Sequence, residues 1–599
     1  MIYTCYASIY QKIKIVKKII NKITFLFKKI NKFECNLEIV IKIYGIIYMN
    51  QKKERYRDMK KIPIGIDNFK KLIIDNYFYI DKTKFIEDIF NDGAEVKLFT
   101  RPRRFGKTLN MSMLKYFFDI REDEDNKKLF DNLYIKNSPI FIEQGKYPVI
   151  FISMKEIKGT TWEEIQKSAR ETLSNLYENY SYLRDSLNER NRRKFDKIWF
   201  EEIDGGYEDS LNFLSKILEE YYNEKVIVLI DEYDAPLTMA YEYSFYDRAV
   251  VFFKSLYGSV LKTNSSLKMG VLTGAIRVAQ AGIFSDLNNI ETHTILDEAY
   301  DEYFGLLENE VENALMEYKA EDKLEDVKSW YDGYKFGNME VYNPWSILKY
   351  VKYKKLDAYW INTSGNVLIK NLLLLSDGTV FEELDALVKG QEKTIYINEN
   401  IALGNSLDPN NLWELMLFSG YLTVKEKINN EAYLVKIPNK EIQSFFKGLF
   451  AEIVFKGKNN ISSMKGALES RDINTIVRIL EDVVLNAMSF YDTNKKFENP
   501  YQTLLAGFFY ALNDYYEMKP NPETGYGRAD IVLIPRNRKW TGYVFELKRA
   551  KTKDIQKEAS KALEQIEEKK YDTLLINEGI KEIIKIGLVF DGKKAVAYY

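Results

Sequence analysis

The sequence predicts a multi-domain α/β protein: a parallel sheet with helices on both faces, a helical middle region, and a second α/β unit at the C terminus. Three observations predict it. From Lys60 onward short apolar runs alternate with helical stretches. The run at 225–231, Lys-Val-Ile-Val-Leu-Ile-Asp, is apolar without a break from Val226 to Ile230, which marks a strand buried on both faces. After a mostly helical stretch, the same alternation returns near the C terminus.

The elements follow in order. Residues 95–100 read as a short strand and 107–119 as a helix. A strand is expected at 147–153, helices at 161–189 and 208–223, the strong strand at 225–231, a helix at 245–263 and a strand at 268–273. From about 297 to 400 the chain is mostly helical. A short helix, Asn411–Phe418, then leads into two alternating runs about Asn429-Asn430, a hairpin signal that suits a winged-helix module. The divisions expected are a basic Ile/Lys-rich extension outside the fold (1–58), a first α/β domain (60–295), a helical region (296–400), a winged-helix candidate (401–475) and a last α/β domain (476–599).

Composition excludes several chemistries. The chain has 599 residues, 46% hydrophobic and 29% charged, which is globular material for several cores. A net charge of −1 excludes a wholly basic nucleic-acid wrapper, so any such contact must be local. The single histidine, His293, excludes His-based triads, HExxH zinc hydrolases and HNH-type nucleases. Two cysteines exclude a zinc module rich in Cys and a disulfide framework. What remains must run on carboxylates, Lys, Arg, hydroxyls and Mg²⁺. Residues 1–48 differ from the rest, with nine Lys, 13 Ile and a local charge of +7. Lysines interrupt the apolar runs there every few residues, which argues against a membrane span, and no clean apolar core ends at a small-residue cleavage site, which argues against a secretory signal. A basic surface helix and an upstream extension of an A/T-rich frame both fit; the working start is expected at Met49 or Met59.

The first constellation is Arg101-Pro-Arg-Arg-Phe-Gly-Lys-Thr108, between a strand and a helix. Backbone N–H groups and a helix N-terminus there attract phosphate. Arg103, Arg104 and Gly106 would line the loop, Lys107 would reach the outer phosphates, and Thr108 would hold Mg²⁺. The usual opening glycine is replaced by Arg101. The strand 226–231 ends in Asp231-Glu232, and paired carboxylates rarely end a buried strand without reason. Asp231 would bind Mg²⁺ through water and Glu232 would polarise the attacking water. A solvated turn through Asp234-Ala-Pro236 fits the same residues. Thr273, at the end of a third strand, would sense the γ-phosphate, and Arg277 would contact it.

These residues resemble the AAA-ATPase-like proteins that join a P-loop ATPase-like domain to a C-terminal PD-(D/E)XK nuclease-like domain. The resemblance is carried by Ile62-Pro-Ile-Gly-Ile-Asp-Asn-Phe69, Tyr79-Ile-Asp-Lys-Thr83, the loop 101–108, Ile230-Asp-Glu-Tyr-Asp-Ala-Pro-Leu237, Leu272-Thr-Gly274, Ile283-Phe-Ser-Asp-Leu-Asn-Asn289, Trp330-Tyr-Asp-Gly-Tyr-Lys-Phe-Gly337 and Tyr342-Asn-Pro-Trp-Ser346. It runs from about Lys60 to the C terminus. The family resembles this chain in having Arg at the first loop position.

The second constellation lies in the last domain. Arg528-Ala-Asp530-Ile-Val-Leu-Ile-Pro535 and Gly542-Tyr-Val-Phe-Glu546-Leu-Lys548 read as two strands about Arg536-Asn-Arg-Lys539. Folding symmetrically about Arg538 pairs residue 530 with 546, and Lys548 shares a face with Glu546. Two close carboxylates repel unless a cation neutralises them, and Mg²⁺ suits such a pair. Lys548 would orient or stabilise the attacking water. Gln565, on the following helix, is a fourth candidate, and Glu498 a further carboxylate. An ordinary hairpin with cross-strand ion pairs fits the same pattern. Gly527-Arg-Ala-Asp530, Phe545-Glu-Leu-Lys548 and Ala562-Leu-Glu-Gln-Ile566 resemble the family's nuclease-like motifs, which implies that Asp530 and Glu546 bind metal and Lys548 serves catalysis. Residues 519–570 hold 13 Lys/Arg against 8 Asp/Glu, a local patch that favours phosphate.

The architecture expected is therefore a P-loop NTPase-like parallel sheet, a helical middle region with room for a winged helix, and a restriction-endonuclease-like α/β domain. The function expected is ATP binding with Mg²⁺-dependent, ATP-modulated cleavage of nucleic acid, DNA or RNA being open. The alternative is a nucleotide-switched binding or scaffold protein whose nuclease-like domain does not cut. ATP and Mg²⁺ are the cofactors expected. A cytoplasmic setting without membrane association is expected, and homo-oligomerisation is left open.

Overall fold

The computed structural model describes residues 60–599 apart from 122, 205, 276–288, 361–368, 370–377, 398–408, 456–457, 492–504, 506–507, 510–511, 513–514, 521, 551–553 and 592–593. Its first sheet has five parallel strands: β1 (Val96–Thr100), β2 (Val149–Ser153), β3 (Val226–Asp231), β4 (Leu267–Gly274) and β5 (Ile290–His293). Their order across the sheet is β2-β3-β4-β1-β5. Alternate residues of each strand face two different cores. Phe99, Ile227, Leu229 and Val271 enter one, together with α1 (Lys107–Phe118). Leu98, Val228, Ile230 and Leu272 enter the other, under the helices Trp162–Glu178, Ser210–Tyr222 and Tyr246–Leu261. Burial on both faces is why these strands are continuously apolar.

The stretch expected as one helix over 161–189 is broken. A helix ends at Glu178, a 3₁₀ segment covers Ser181–Ser186, and a second helix runs from Glu189 to Trp199. The restart is fixed by Asn188, whose side chain accepts from the Asn191 N–H at 2.9 Å.

The middle region is less helical than its composition suggests. A hairpin, Tyr334–Phe336 with Met339–Val341, turns through Gly337-Asn338. Gly337 has φ 49°, and a Cβ there would lie 2.6 Å from the Asp297 carbonyl oxygen. Beyond it, β6 (Lys393–Tyr396), β7 (Thr423–Lys427) and β8 (Ala432–Lys436) form a small antiparallel sheet in the order β6-β8-β7, with the helix Pro409–Phe418 before the β7–β8 hairpin. The first core runs without a break into this region: Phe304, Phe336, Trp360, Trp413 and Phe446 belong to the same apolar cluster as Phe99 and Phe105.

The C-terminal sheet is mixed. β9 (Tyr516–Pro520), β10 (Ile531–Pro535), β11 (Gly542–Arg549), β12 (Ile583–Asp591) and β13 (Lys594–Tyr598) lie in that order, and only β11–β12 is parallel. Tyr543, Phe545 and Leu547 of β11 point into a core shared with the helix Ile473–Tyr491. Val544 points the other way, toward α2 (Ile555–Glu568), and the pleat puts Glu546 and Lys548 on that same side. Gly587 of β12 lets α2 approach closely: a Cβ there would sit 2.4 Å from the Ala559 carbonyl oxygen and 2.6 Å from the Leu563 nitrogen. Both neighbours are backbone, so neither can yield by changing rotamer. Gly587→Ala is therefore expected to cost about 1–3 kcal/mol by overpacking, read as a lowered urea midpoint at unchanged m-value.

Candidate functional sites at the phosphate loop and the mixed sheet

The phosphate loop leaves β1 at the C-terminal edge of the parallel sheet, where open α/β sheets bind ligands. Two of its residues have left-handed backbones, Arg104 (φ 68°) and Gly106 (φ 83°). Arg101 is not among them, so the turn does not demand glycine at that position. Its N–H continues the β1–β4 ladder by donating to the Gly274 carbonyl at 3.1 Å. The Arg101 side chain is fully buried, donates to the Thr100 and His293 carbonyls, and lies over the rings of Phe304 and Phe336. Burial pulls its guanidinium down to about 10, against the attraction of Asp297 and Asp301. Arg101 is thus an internal strut that ties the loop to the middle region.

Lys107 opens α1 and is 6% exposed. Its Nζ donates to the carbonyls of Arg101 and Pro102 at 2.7 and 2.8 Å. Burial brings the ammonium down to about 8, opposed by Glu232, Asp234 and Asp231. Asp231, at the end of β3, is 1% exposed and accepts from two hydroxyls: Thr108 Oγ1 donates to Oδ2 at 2.9 Å, and Thr273 Oγ1 to Oδ1 at 2.5 Å. The ends of β3 and β4 and the first turn of α1 thereby meet at one carboxylate. Glu232 follows with φ 52°, and burial, followed by the Asp231 charge, raises its carboxyl. Arg103 and Arg104 lie on the loop, but the Arg104 guanidinium is turned onto the Trp345 ring, 4.4 Å from its centroid. Arg277 and Glu498 lie outside the described residues.

The second site sits on the mixed sheet. Register pairs Ile531 with Phe545 and Val532 with Val544, and one step further Asp530 comes opposite Glu546. The Leu547 N–H donates to Asp530 Oδ2 at 2.7 Å. Gln565 bridges two residues from above the sheet: Nε2 donates to Glu546 Oε1 at 2.6 Å, and Lys548 Nζ donates to Oε1 of Gln565 at 2.5 Å. The Gly587 contact is what brings α2 near enough for Gln565 to do this. Glu546 is 6% exposed and its Oε2 is buried without a hydrogen-bond partner. Burial first, and the Asp530 charge second, push its carboxyl up to about 7; burial also raises Asp530. A buried, unpartnered carboxylate oxygen beside a second acid fits an oxygen-seeking divalent cation such as Mg²⁺.

Residues 63–284 match the family model described as a predicted AAA-ATPase, AAA-ATPase-like, and residues 496–598 match that of the PD-(D/E)XK nuclease superfamily. The chain joins an AAA-ATPase-like domain to a PD-(D/E)XK nuclease-superfamily domain. It is similar to an uncharacterized protein in the vnfD 5′ region of Azotobacter chroococcum mcd 1, 23% identical over 527 residues, which cover 86% of this chain and 93% of that protein. The two matches support ATPase and nuclease-like function in general terms. Among the described residues no helix is long and apolar enough to cross a membrane.

One other cluster, beside the parallel sheet, invites a metal. Asp92, Glu291 and His293 bring ligand atoms within 4.8 Å of one another. The buried Lys97 ammonium already lies 3.5 Å from Asp92, and Tyr300 donates to the other Asp92 oxygen, so positive charge and donors are supplied by the chain itself. Sequence reading missed Trp345, Trp360 and Glu441, which touch the phosphate loop or its supports from far along the chain. No local spacing in the sequence reveals which partner the tryptophan N–H groups reach.

The raised Glu546 carboxyl sets a pH-dependence for the metal-free chain. The native state keeps a proton that the unfolded chain releases near 4.5, so the native advantage is full below that pH and is lost as pH rises toward 7. Glu546→Gln should therefore stabilise the C-terminal domain at pH 8 by on the order of 2 kcal/mol and have little effect at pH 4.5. Melts in chelator at the two pH values check this.

Proposed function

We propose that this chain binds Mg²⁺-ATP at the loop 101–108 and cleaves phosphodiester bonds of nucleic acid at Asp530, Glu546 and Lys548, with nucleotide occupancy modulating the cutting. The observation that carries the reading is the Glu546 carboxylate: one oxygen is fixed by Gln565, the other is buried and unpartnered, and the nearby Asp530 charge raises the group.

A divalent ion held there supplies Lewis acidity and lowers the pKa of a bound water. Asp530 and Glu546 would hold it. Gln565 fixes the Glu546 carboxylate and the Lys548 ammonium relative to each other, so the positive charge stands beside the metal-binding oxygens where a phosphate would enter. No histidine is needed, as the composition requires. At the phosphate loop, Lys107 exchanges its two carbonyl partners for phosphate oxygens. Thr108 and Asp231 would hold Mg²⁺, and Thr273, already hydrogen-bonded to Asp231, would respond to the terminal phosphate. Glu232, with a raised carboxyl, accepts a proton from water more readily than a solvated glutamate.

The reading is tested by incubating DNA and RNA substrates, single- and double-stranded, with Mg²⁺ or Mn²⁺, with and without ATP. Wild type is expected to cut, Glu546→Ala to fall to background while still binding substrate, and Lys107→Ala to keep basal cutting while losing the response to ATP. A folded wild type that binds ATP and nucleic acid but cuts nothing would replace this reading by a nucleotide-switched binding protein.

A further inference from the structure

The phosphate loop is held from outside its own domain at one peptide group. Trp360 Nε1 donates to the Arg103 carbonyl oxygen at 2.9 Å, across 257 residues of sequence. The peptide that this bond grips joins Arg103 to Arg104, and Arg104 is the non-glycine residue of the loop with a left-handed backbone. Such a conformation costs roughly 1–2 kcal/mol for a side chain bearing a Cβ, and persists only where its surroundings hold it. The C=O and N–H of a trans peptide point in opposite directions. Anchoring the Arg103 oxygen on Trp360 therefore fixes the Arg104 N–H on the opposite side, and in a phosphate loop the direction of the N–H groups is what makes the site.

Trp360 is itself oriented. Its backbone N–H donates to Glu441 Oε1 at 2.6 Å, and the second Glu441 oxygen accepts from Ser346 Oγ at 2.8 Å. Glu441 is fully buried in the first turn of the helix Lys440–Phe455. The Tyr421 ring lies 5.4 Å from the indole, and at the adjoining Gly420 a Cβ would come 2.9 Å from Pro102. Arg104 is held over Trp345, the residue before Ser346. Pro102, Arg103 and Arg104 are thus each met by a separate part of the middle region, and Glu441 ties two of those parts together.

We propose that Trp360, oriented by Glu441, is a positioning residue for the phosphate loop: it holds the Arg103–Arg104 peptide in the orientation that receives a nucleotide phosphate. This rests on the reading of 101–108 as an ATP site. It accounts for a loop that departs from the glycine-rich pattern, because geometry that glycines would give locally is supplied here by a long-range hydrogen bond.

The test is calorimetric titration of the full chain with Mg²⁺-ATP. Trp360→Phe keeps an aromatic ring, smaller than the indole, and removes the N–H. Glu441→Leu keeps the bulk and leaves the Trp360 N–H without its acceptor. Each is expected to weaken binding roughly tenfold, the effect of about one hydrogen bond's net worth, and the double variant should be no worse than either single one. Glu441→Gln keeps an acceptor for Trp360 and a donor for Ser346, and should restore near wild-type affinity. Melting without nucleotide is measured alongside, because a merely structural pair would lower that temperature and leave affinity unchanged. Should Trp360→Phe fail to fold, the Glu441→Leu and Glu441→Gln comparison decides alone. Wild-type affinity in Trp360→Phe, or equal loss in Glu441→Leu and Glu441→Gln, would overturn the proposal. Absence of ATP binding in the wild type, with Lys107→Ala indistinguishable from it, would instead overturn the reading of the loop itself.

Discussion

Burying a carboxylate is expensive unless something answers its charge, and three carboxylates organise this molecule around that cost. Asp231 is answered by two hydroxyls, one from the first turn of α1 and one near the end of β4. Glu441 is answered by a backbone N–H and a serine, with its carboxyl pushed up to about 7 by burial. Glu546 is answered on one oxygen only. The first two are closed arrangements that hold parts of the chain together. The third is open, and a cation bound beside it and Asp530 would lower the free energy of the folded protein.

The same economy explains the placement of small residues. Gly587 brings α2 close enough for Gln565 to reach Glu546 and Lys548, while Gly420 brings the middle region against Pro102. In each case a missing side chain shortens the distance between two elements and lets a polar group act at a distance in sequence. Arg101 does the converse. A long side chain stands where a glycine is usual, and its burial over Phe304 and Phe336 joins the loop to the core of the middle region.

Much of this was legible from the residues. Continuous apolar runs marked β2, β3 and β4 because both faces of that sheet are covered. The equal spacing of 530 and 546 about Arg538 anticipated the register of the C-terminal hairpin, since a side-chain period of two leaves little freedom. The helix break after Glu178 was hidden because both halves are amphipathic, and only a short 3₁₀ segment and the cap at Asn188 separate them. The hairpin at Gly337-Asn338 was hidden by its three-residue strands, too short for a periodic signal, though the Gly-Asn pair is a turn signature. The contact of Trp360 with Arg103 had no sequence signal at all. It spans most of the AAA-ATPase-like domain and depends on tertiary packing.

The central claim is that the mixed sheet holds a cation site completed by Glu546 and Asp530. Its most direct test is titration of the nucleotide-free chain with Mn²⁺ at pH 6 and pH 8, beside Asp530→Asn. The account predicts binding that tightens between those values, as Glu546 gives up its proton near 7, and that is lost in the variant. Affinity independent of pH and equal in wild type and Asp530→Asn would contradict it.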